Sequence, residues 1–150
     1  MGAAIFLHLL GVTVWVGGMF FAYMALRPAA ASVLEPAQRL PLWSAAFSRF
    51  FPWVWLAVAL IFGSGLYMIG QIGVASVPDY IWGMLAVGVG MLLIFAHVFF
   101  APYRRLKRHS ALLEWQPAGK ALAQIRILVA INLLLGLANI AIATFVVELF

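Results

Sequence analysis

Four long apolar runs constrain this chain of 150 residues more than any other feature of its sequence. They cover residues 5–26, 51–72, 80–101 and 125–147. As a helix, each is long enough to cross the roughly 30 Å hydrocarbon layer of a bilayer. Hydrophobic residues make up 67% of the chain and charged residues 9%, which excludes an ordinary soluble protein. The sequence therefore predicts an all-α fold, an integral membrane four-helix transmembrane bundle in which residues 1–150 form a single four-span domain.

The basic residues are confined to two of the loops and their borders. The loop between the second and third spans and both termini carry none, whereas the other two loops hold all nine: Arg27, Arg39, Arg49, Arg104, Arg105, Lys107, Arg108, Lys120 and Arg126. Basic loops stay on the cytoplasmic side of a membrane. We therefore expect a multi-pass protein of the bacterial inner membrane with both termini non-cytoplasmic. Its expected partner is the lipid bilayer, and no nucleic acid is expected.

Prolines and tryptophans suggest where the spans begin and end. Prolines divide the first basic loop, so residues 35–48 are predicted to form a separate short interfacial helix. Pro52 suits the first turn of the second span. Apart from Trp15, the tryptophans are predicted to lie at the membrane interfaces.

One face of the first span carries a histidine among small and aromatic residues. His8, Gly11, Trp15 and Gly18 follow one another at helical spacing. An ionisable ring in hydrocarbon is costly unless it has a partner, so His8 indicates a functional site. The glycines beside it form a groove that a flat ligand or another helix could approach.

The third and fourth spans also carry small and polar residues on helical faces. These are Gly83, Gly90 and His97 on the third span, and Asn132, Gly136, Asn139 and Ala143 on the fourth. Glycines and asparagines at such spacing are typical of helix packing. The second intramembrane histidine, in contrast, indicates function.

The two histidines are predicted to form separate sites. At 1.5 Å per residue, His8 lies about 11 Å to the non-cytoplasmic side of its span's midpoint, and His97 about 7 Å to the cytoplasmic side. Near His97, three arginines could pair with the propionates of a haem: Arg49, Arg104 and Arg126.

A different donor set is available near His8. Met68 and Met84 offer thioethers close to that imidazole, and together they form a soft set that favours Cu(I).

The opening string HLLGVTVWVGGMFFAYMALRP resembles the first helix of the copper-resistance D (CopD) family. That family carries a histidine followed by W-x-G-G and an Arg-Pro, matched here by His8, Trp15, Gly17, Gly18, Arg27 and Pro28. The strings RFFPWVWLAVALIFGSGLYMI and AHVFFAPYRRLKR are also similar to the HemJ-like membrane protoporphyrinogen oxidases, which are proposed haem-binding proteins. The third span, YIWGMLAVGVG, lacks the histidine and lysine of HemJ-like enzymes, so CopD-like is the interpretation.

Three functions follow from these residues and this resemblance. The first is a b-type haem protein for redox chemistry or electron transfer, a haem-dependent membrane oxidoreductase with a quinol or other redox partner. Its cofactor-binding residues would be His8, His97, Trp15, Gly18, Arg49, Arg126 and Asn132. The alternative is a copper-handling permease with the ligands His8, Met68 and Met84. The third is an accessory subunit of a homo-oligomer or larger membrane complex.

The charge pattern predicts an outcome for cysteine labelling in intact cells. A cysteine replacing Ser76, in the loop without basic residues, should react with an impermeant thiol reagent, because that loop is expected outside the cytoplasm. A cysteine replacing Ser110 should not react. The opposite pattern would reverse the predicted orientation.

Overall fold

The computed structural model describes residues 1–145, which fold into helices joined by short turns. The helices are α1 (Gly2–Phe21), α2 (Arg27–Val33), α3 (Pro36–Ile72), α4 (Asp79–Phe100), α5 (Pro102–Ala111) and α6 (Trp115–Phe145). A π-helical turn, Ala22–Leu26, joins α1 to α2, and a 3-10 turn, Val74–Ser76, follows α3. Within residues 1–145, four helical stretches are long and apolar enough to cross a membrane, which confirms the predicted all-α four-helix bundle. The last two residues of the predicted fourth span, 146 and 147, lie outside the described residues.

The predicted separation of residues 35–48 from the second span is wrong. One helix, α3, runs from Pro36 to Ile72, with Pro41 and Pro52 inside it. Pro41 is the sixth residue of the helix and, like any proline beyond the first turn, lacks the N–H that would donate to the carbonyl four residues earlier. Pro52 removes an interior hydrogen bond, and the packed aromatic side chains around it hold the helix together. α6, which contains the predicted fourth span up to residue 145, begins at Trp115.

A π-helical turn keeps the first span helical beyond its predicted end. The N–H of Arg27 donates to the carbonyl of Ala22, five residues earlier, rather than four. Pro28 follows, and a proline ring crowds the carbonyl four residues before it. The wider turn relieves that crowding, so the helix continues as α2 to Val33.

Close approach of backbones joins α1 to α3 as an antiparallel pair. A Cβ added at Gly11 would lie 2.8 Å from the carbonyl oxygen of Ala57 and 2.7 Å from a side-chain carbon of Ile61. The groove predicted on the first span is therefore filled by a helix of the same chain. On α6, Gly136 lies equally close to Val16, where an added Cβ would be 2.9 Å from a methyl group.

Two other predicted packing residues do not pack. Nothing lies within 4 Å of a Cβ added at Gly83 or Gly90, so the packing prediction for these positions is wrong. Both glycines lie on α4, whose main partner in the bundle is α6. The contact between these two helices uses larger side chains, such as Met91.

A cluster of aromatic rings fills the core between α3, α4 and α5. The rings of Trp55 and Phe95 are 4.9 Å apart, and those of Phe51 and Tyr103 are 4.8 Å apart. Trp43 is also buried in this core. The helical spacing of Trp43 and Trp55 from Phe47 and Phe51 places them on the inner face of α3, and their position at the membrane interface stays a prediction. Trp53 points outward and is 60% exposed.

The two ends of the bundle differ in charge. We call the end formed by α2, the start of α3, α5 and the start of α6 the basic end, and the end with residues 73–78 the short-loop end. Ser110, at the basic end, is buried, so a cysteine there would resist labelling on either side of a membrane. Lys107 is exposed on the same helix and is the better position for the labelling comparison with Ser76.

Gly11→Ala should destabilise the protein by about 1–3 kcal/mol, because the new methyl group would press on the rigid backbone of α3. Gly17→Ala is the matched control, since nothing lies within 4 Å of its Cβ position on the same helix. Thermal unfolding in one detergent would compare the two variants. Equal midpoints would contradict the close packing of α1 on α3.

Candidate functional site

His8 is held between α1 and α3 by a hydrogen bond to a serine. Its Nδ1 lies 3.0 Å from the Oγ of Ser64. The Ser64 hydroxyl donates to the carbonyl of Leu60, so its oxygen is left to accept the Nδ1–H of the imidazole. In this tautomer Nε2 carries the lone pair. The backbone of Ile61 is a second hydrogen-bond partner of this ring.

The ring of His8 also lies against a glycine of α3. A Cβ added at Gly65 would be 3.4 Å from its Cε1, so the absence of a side chain leaves room for the imidazole. Met68 lies one turn beyond Ser64 on the same side of α3, towards the short-loop end. The structure therefore places His8 and Met68 on the α1–α3 pair of helices.

Met84, the other predicted thioether ligand, lies on a different pair of helices. Its carbonyl accepts a hydrogen bond from the side-chain nitrogen of Asn139, at 3.1 Å, which links α4 to α6. Within residues 1–145, no three or more His, Cys, Asp or Glu side chains gather where they could hold a metal ion. Of the two predicted thioether ligands, only Met68 lies on the same pair of helices as His8.

His97 lies on α4 near the basic end and is exposed. Its Nε2 is 3.5 Å from the side-chain nitrogen of Gln124 on α6, and the side-chain oxygen of Gln124 accepts a hydrogen bond from Arg105. His8 and His97 have no hydrogen-bond partner in common in the described part of the chain. The structure places the two histidines against different helices.

A cavity of about 430 Å³ opens at the basic end. Arg27, Arg39 and Arg126 line it, one each from α2, α3 and α6. Its other lining residues include Tyr23, Trp43, Trp115 and Gln116. We call this space the arginine cavity. Arg126 was expected at a cofactor site, but Arg49, expected beside it, is exposed and does not line this cavity.

A smaller cavity of about 40 Å³ shares part of the same lining. Trp15 and Asn132 line it, as does Phe50, against which Gly18 packs. The Asn132 side chain is 3% exposed, and its oxygen has no hydrogen-bond partner within residues 1–145. The structure therefore brings Trp15, Gly18 and Asn132 to one place, whereas neither histidine lines either cavity.

Sequence reasoning missed Ser64, Arg27 and Arg39 as site residues. The sequence does show Ser64 as a polar residue within the second apolar run, where it could have been matched to His8. Arg39 was assigned to topology alone, and Arg27 to topology and to the Arg-Pro of the CopD motif. Their convergence depends on the π-helical turn and on the early start of α3, and the apolar pattern signals neither.

Comparison with known proteins gives one family match. Residues 44–146 match the family model CopD, described as Copper resistance protein D. The matched region includes Ser64, His97 and Asn132, and it begins after the helix that carries His8. No curated protein and no solved structure matches the chain. The similarity to HemJ-like enzymes is unconfirmed and stays a prediction.

Proposed function

The chain belongs to the CopD family of copper-resistance membrane proteins, and from this premise we propose that it handles copper within the membrane, with His8 as a ligand. The hydrogen bond between His8 and Ser64 is the observation that carries this proposal. A histidine that binds a metal usually donates its other ring N–H to a neighbouring group, which fixes the tautomer and the orientation of the ring. Ser64 supplies such a partner here, and Nε2 is left as the donor atom for a metal.

The neighbourhood of His8 suits a soft ion. Thioether sulfur and imidazole nitrogen are donors that favour Cu(I), and Met68 lies one helical turn from Ser64. Hard divalent cations prefer oxygen ligands. Asp79, the carboxylate of the short-loop end within the described residues, lies at the first position of α4 rather than on the α1–α3 pair. We therefore infer Cu(I) as the species bound.

Haem b, the first hypothesis from the sequence, gains less support. The arginine cavity offers guanidinium groups for propionates, which favours an anionic cofactor there. An axial ligand from His8 or His97 has no support from the geometry, because neither ring lines a cavity described here. Electron transfer, a quinol partner, and a homo-oligomer or larger complex remain predictions from the sequence.

For orientation, we propose that the basic end faces the cytoplasm of a bacterial cell and both termini face the other side. The confinement of nine basic residues to two alternate loops supports this arrangement. His8 and Ser64 then lie in the non-cytoplasmic half of the membrane. Copper would reach this site from outside the cytoplasm.

A competition assay for Cu(I) in detergent solution tests the ligand assignment. Wild-type protein should bind a single Cu(I), and His8→Ala should lose it. Ser64→Ala should weaken binding about 10–100-fold, because the ring loses the partner that orients it. His97→Ala is the matched control, an exposed histidine on another helix, and should bind as wild type does.

Two results would overturn the copper assignment. One is Cu(I) binding that is equal in wild type and His8→Ala. The other is a pyridine haemochrome spectrum in the purified protein that disappears in His8→Ala, which would make His8 a haem ligand. Circular dichroism of each variant would show whether it keeps the helical fold.

A further inference from the structure

Three arginines converge on one cavity without a carboxylate to neutralise them. Arg27, Arg39 and Arg126 come from three helices, and within residues 1–145 none of them forms an ion pair with a carboxylate. Arg27 stacks on the ring of Tyr23, with its guanidinium carbon 4.8 Å from the ring centroid. Gathering like charges is unfavourable unless an anion joins them. The planar fork of a guanidinium matches phosphate in particular.

The other walls of the arginine cavity are apolar. Trp43 and Phe47 are buried in the wall that α3 contributes, and Ile125 and Val129 contribute the wall from α6. The space therefore has a cationic part for an anion and an apolar part for hydrocarbon. A ligand with both properties is an amphiphile. The volume of the cavity, about 430 Å³, lies within the range of sites for small molecules or headgroups.

The depth of the cavity follows from the apolar runs. Arg27 comes directly after the first run, and Arg126 comes at the start of the fourth. Both arginines therefore lie where hydrocarbon gives way to headgroups, on the side of the membrane that holds the basic end. Basic pockets between transmembrane helices at this depth bind the headgroups of anionic lipids.

We propose that the arginine cavity binds an anionic phospholipid. The three arginines surround the lipid phosphate, and an acyl chain lies along Phe47 and Val129. This site is separate from His8, which does not line the cavity, so the inference does not depend on copper binding.

Native mass spectrometry of the full chain, purified in a neutral detergent, tests the proposal. Phosphatidylglycerol should be retained more strongly than phosphatidylcholine. Arg39→Gln and Arg126→Gln should each weaken the binding of phosphatidylglycerol about fivefold, the equivalent of about 1 kcal/mol per basic residue. Arg108→Gln is the matched control, because Arg108 is exposed at the same end and does not line the cavity.

A second arm separates a lipid from a free anion. Inorganic phosphate, added at millimolar concentration, should raise the unfolding temperature less than phosphatidylglycerol does. Equal stabilisation by phosphate, with the same dependence on Arg39 and Arg126, would identify a small-anion site and overturn the lipid assignment. Equal retention of the two lipids, or equal losses in Arg39→Gln and Arg108→Gln, would also overturn it.

Folding of the variants is checked independently. Far-UV circular dichroism measures helix content, and Arg39→Lys serves as a second variant if Arg39→Gln loses its fold. Arg39→Lys keeps the charge but loses the planar fork, so its preference for phosphatidylglycerol should lie between those of wild type and Arg39→Gln. Loss of that preference in a folded Arg39→Lys protein would contradict an electrostatic headgroup site.

Discussion

Hydrocarbon offers no hydrogen bonds, and every polar group inside this bundle must find a partner within the chain. The backbone meets this requirement through long unbroken helices, which explains why α3 continues through two prolines. Hydroxyl side chains form hydrogen bonds within their own helix. The hydroxyl of Thr13, for example, donates to the carbonyl of Leu9 at 2.8 Å. Ser64 satisfies its own hydrogen in the same way and still offers an oxygen to His8. Within residues 1–145, the side-chain oxygens of Asn132 and Asn139 are the buried exceptions, and Asn132 lines the smaller cavity of about 40 Å³.

The site at His8 depends on the contact between two helices. Gly11 lies one turn from His8 and brings α1 against the backbone of α3 at Ala57. Ser64 lies about two turns further along α3, so the close approach at Gly11 determines how far His8 must reach. The glycine that permits the packing therefore also positions the imidazole. Both the packing role predicted for Gly11 and the metal-ligand role proposed for His8 therefore involve the contact between α1 and α3.

The fold was predictable because each apolar run matches the thickness of a membrane, a signal that is local in sequence. The ends of the helices were not, since the apolar pattern does not show that α3 continues through Pro41 and Pro52. A hydrogen-bond partner for His8 was predictable, because an ionisable ring in hydrocarbon is costly without one. The arginine cavity was not, because Arg27, Arg39 and Arg126 are far apart in sequence and meet only through tertiary structure.

The single helix α3 carries residues of both the arginine cavity and the His8 site. Arg39 and Ser64 lie about 37 Å apart along this helix, at 1.5 Å per residue. Helices tilt to match the thickness of the surrounding bilayer. A change in tilt of about 5° around the middle of this segment displaces each end by about 1.6 Å, more than half the length of a hydrogen bond. The thickness of the membrane therefore affects the positions of Arg39 and Ser64, and micelles of different diameter are not equivalent environments for this protein.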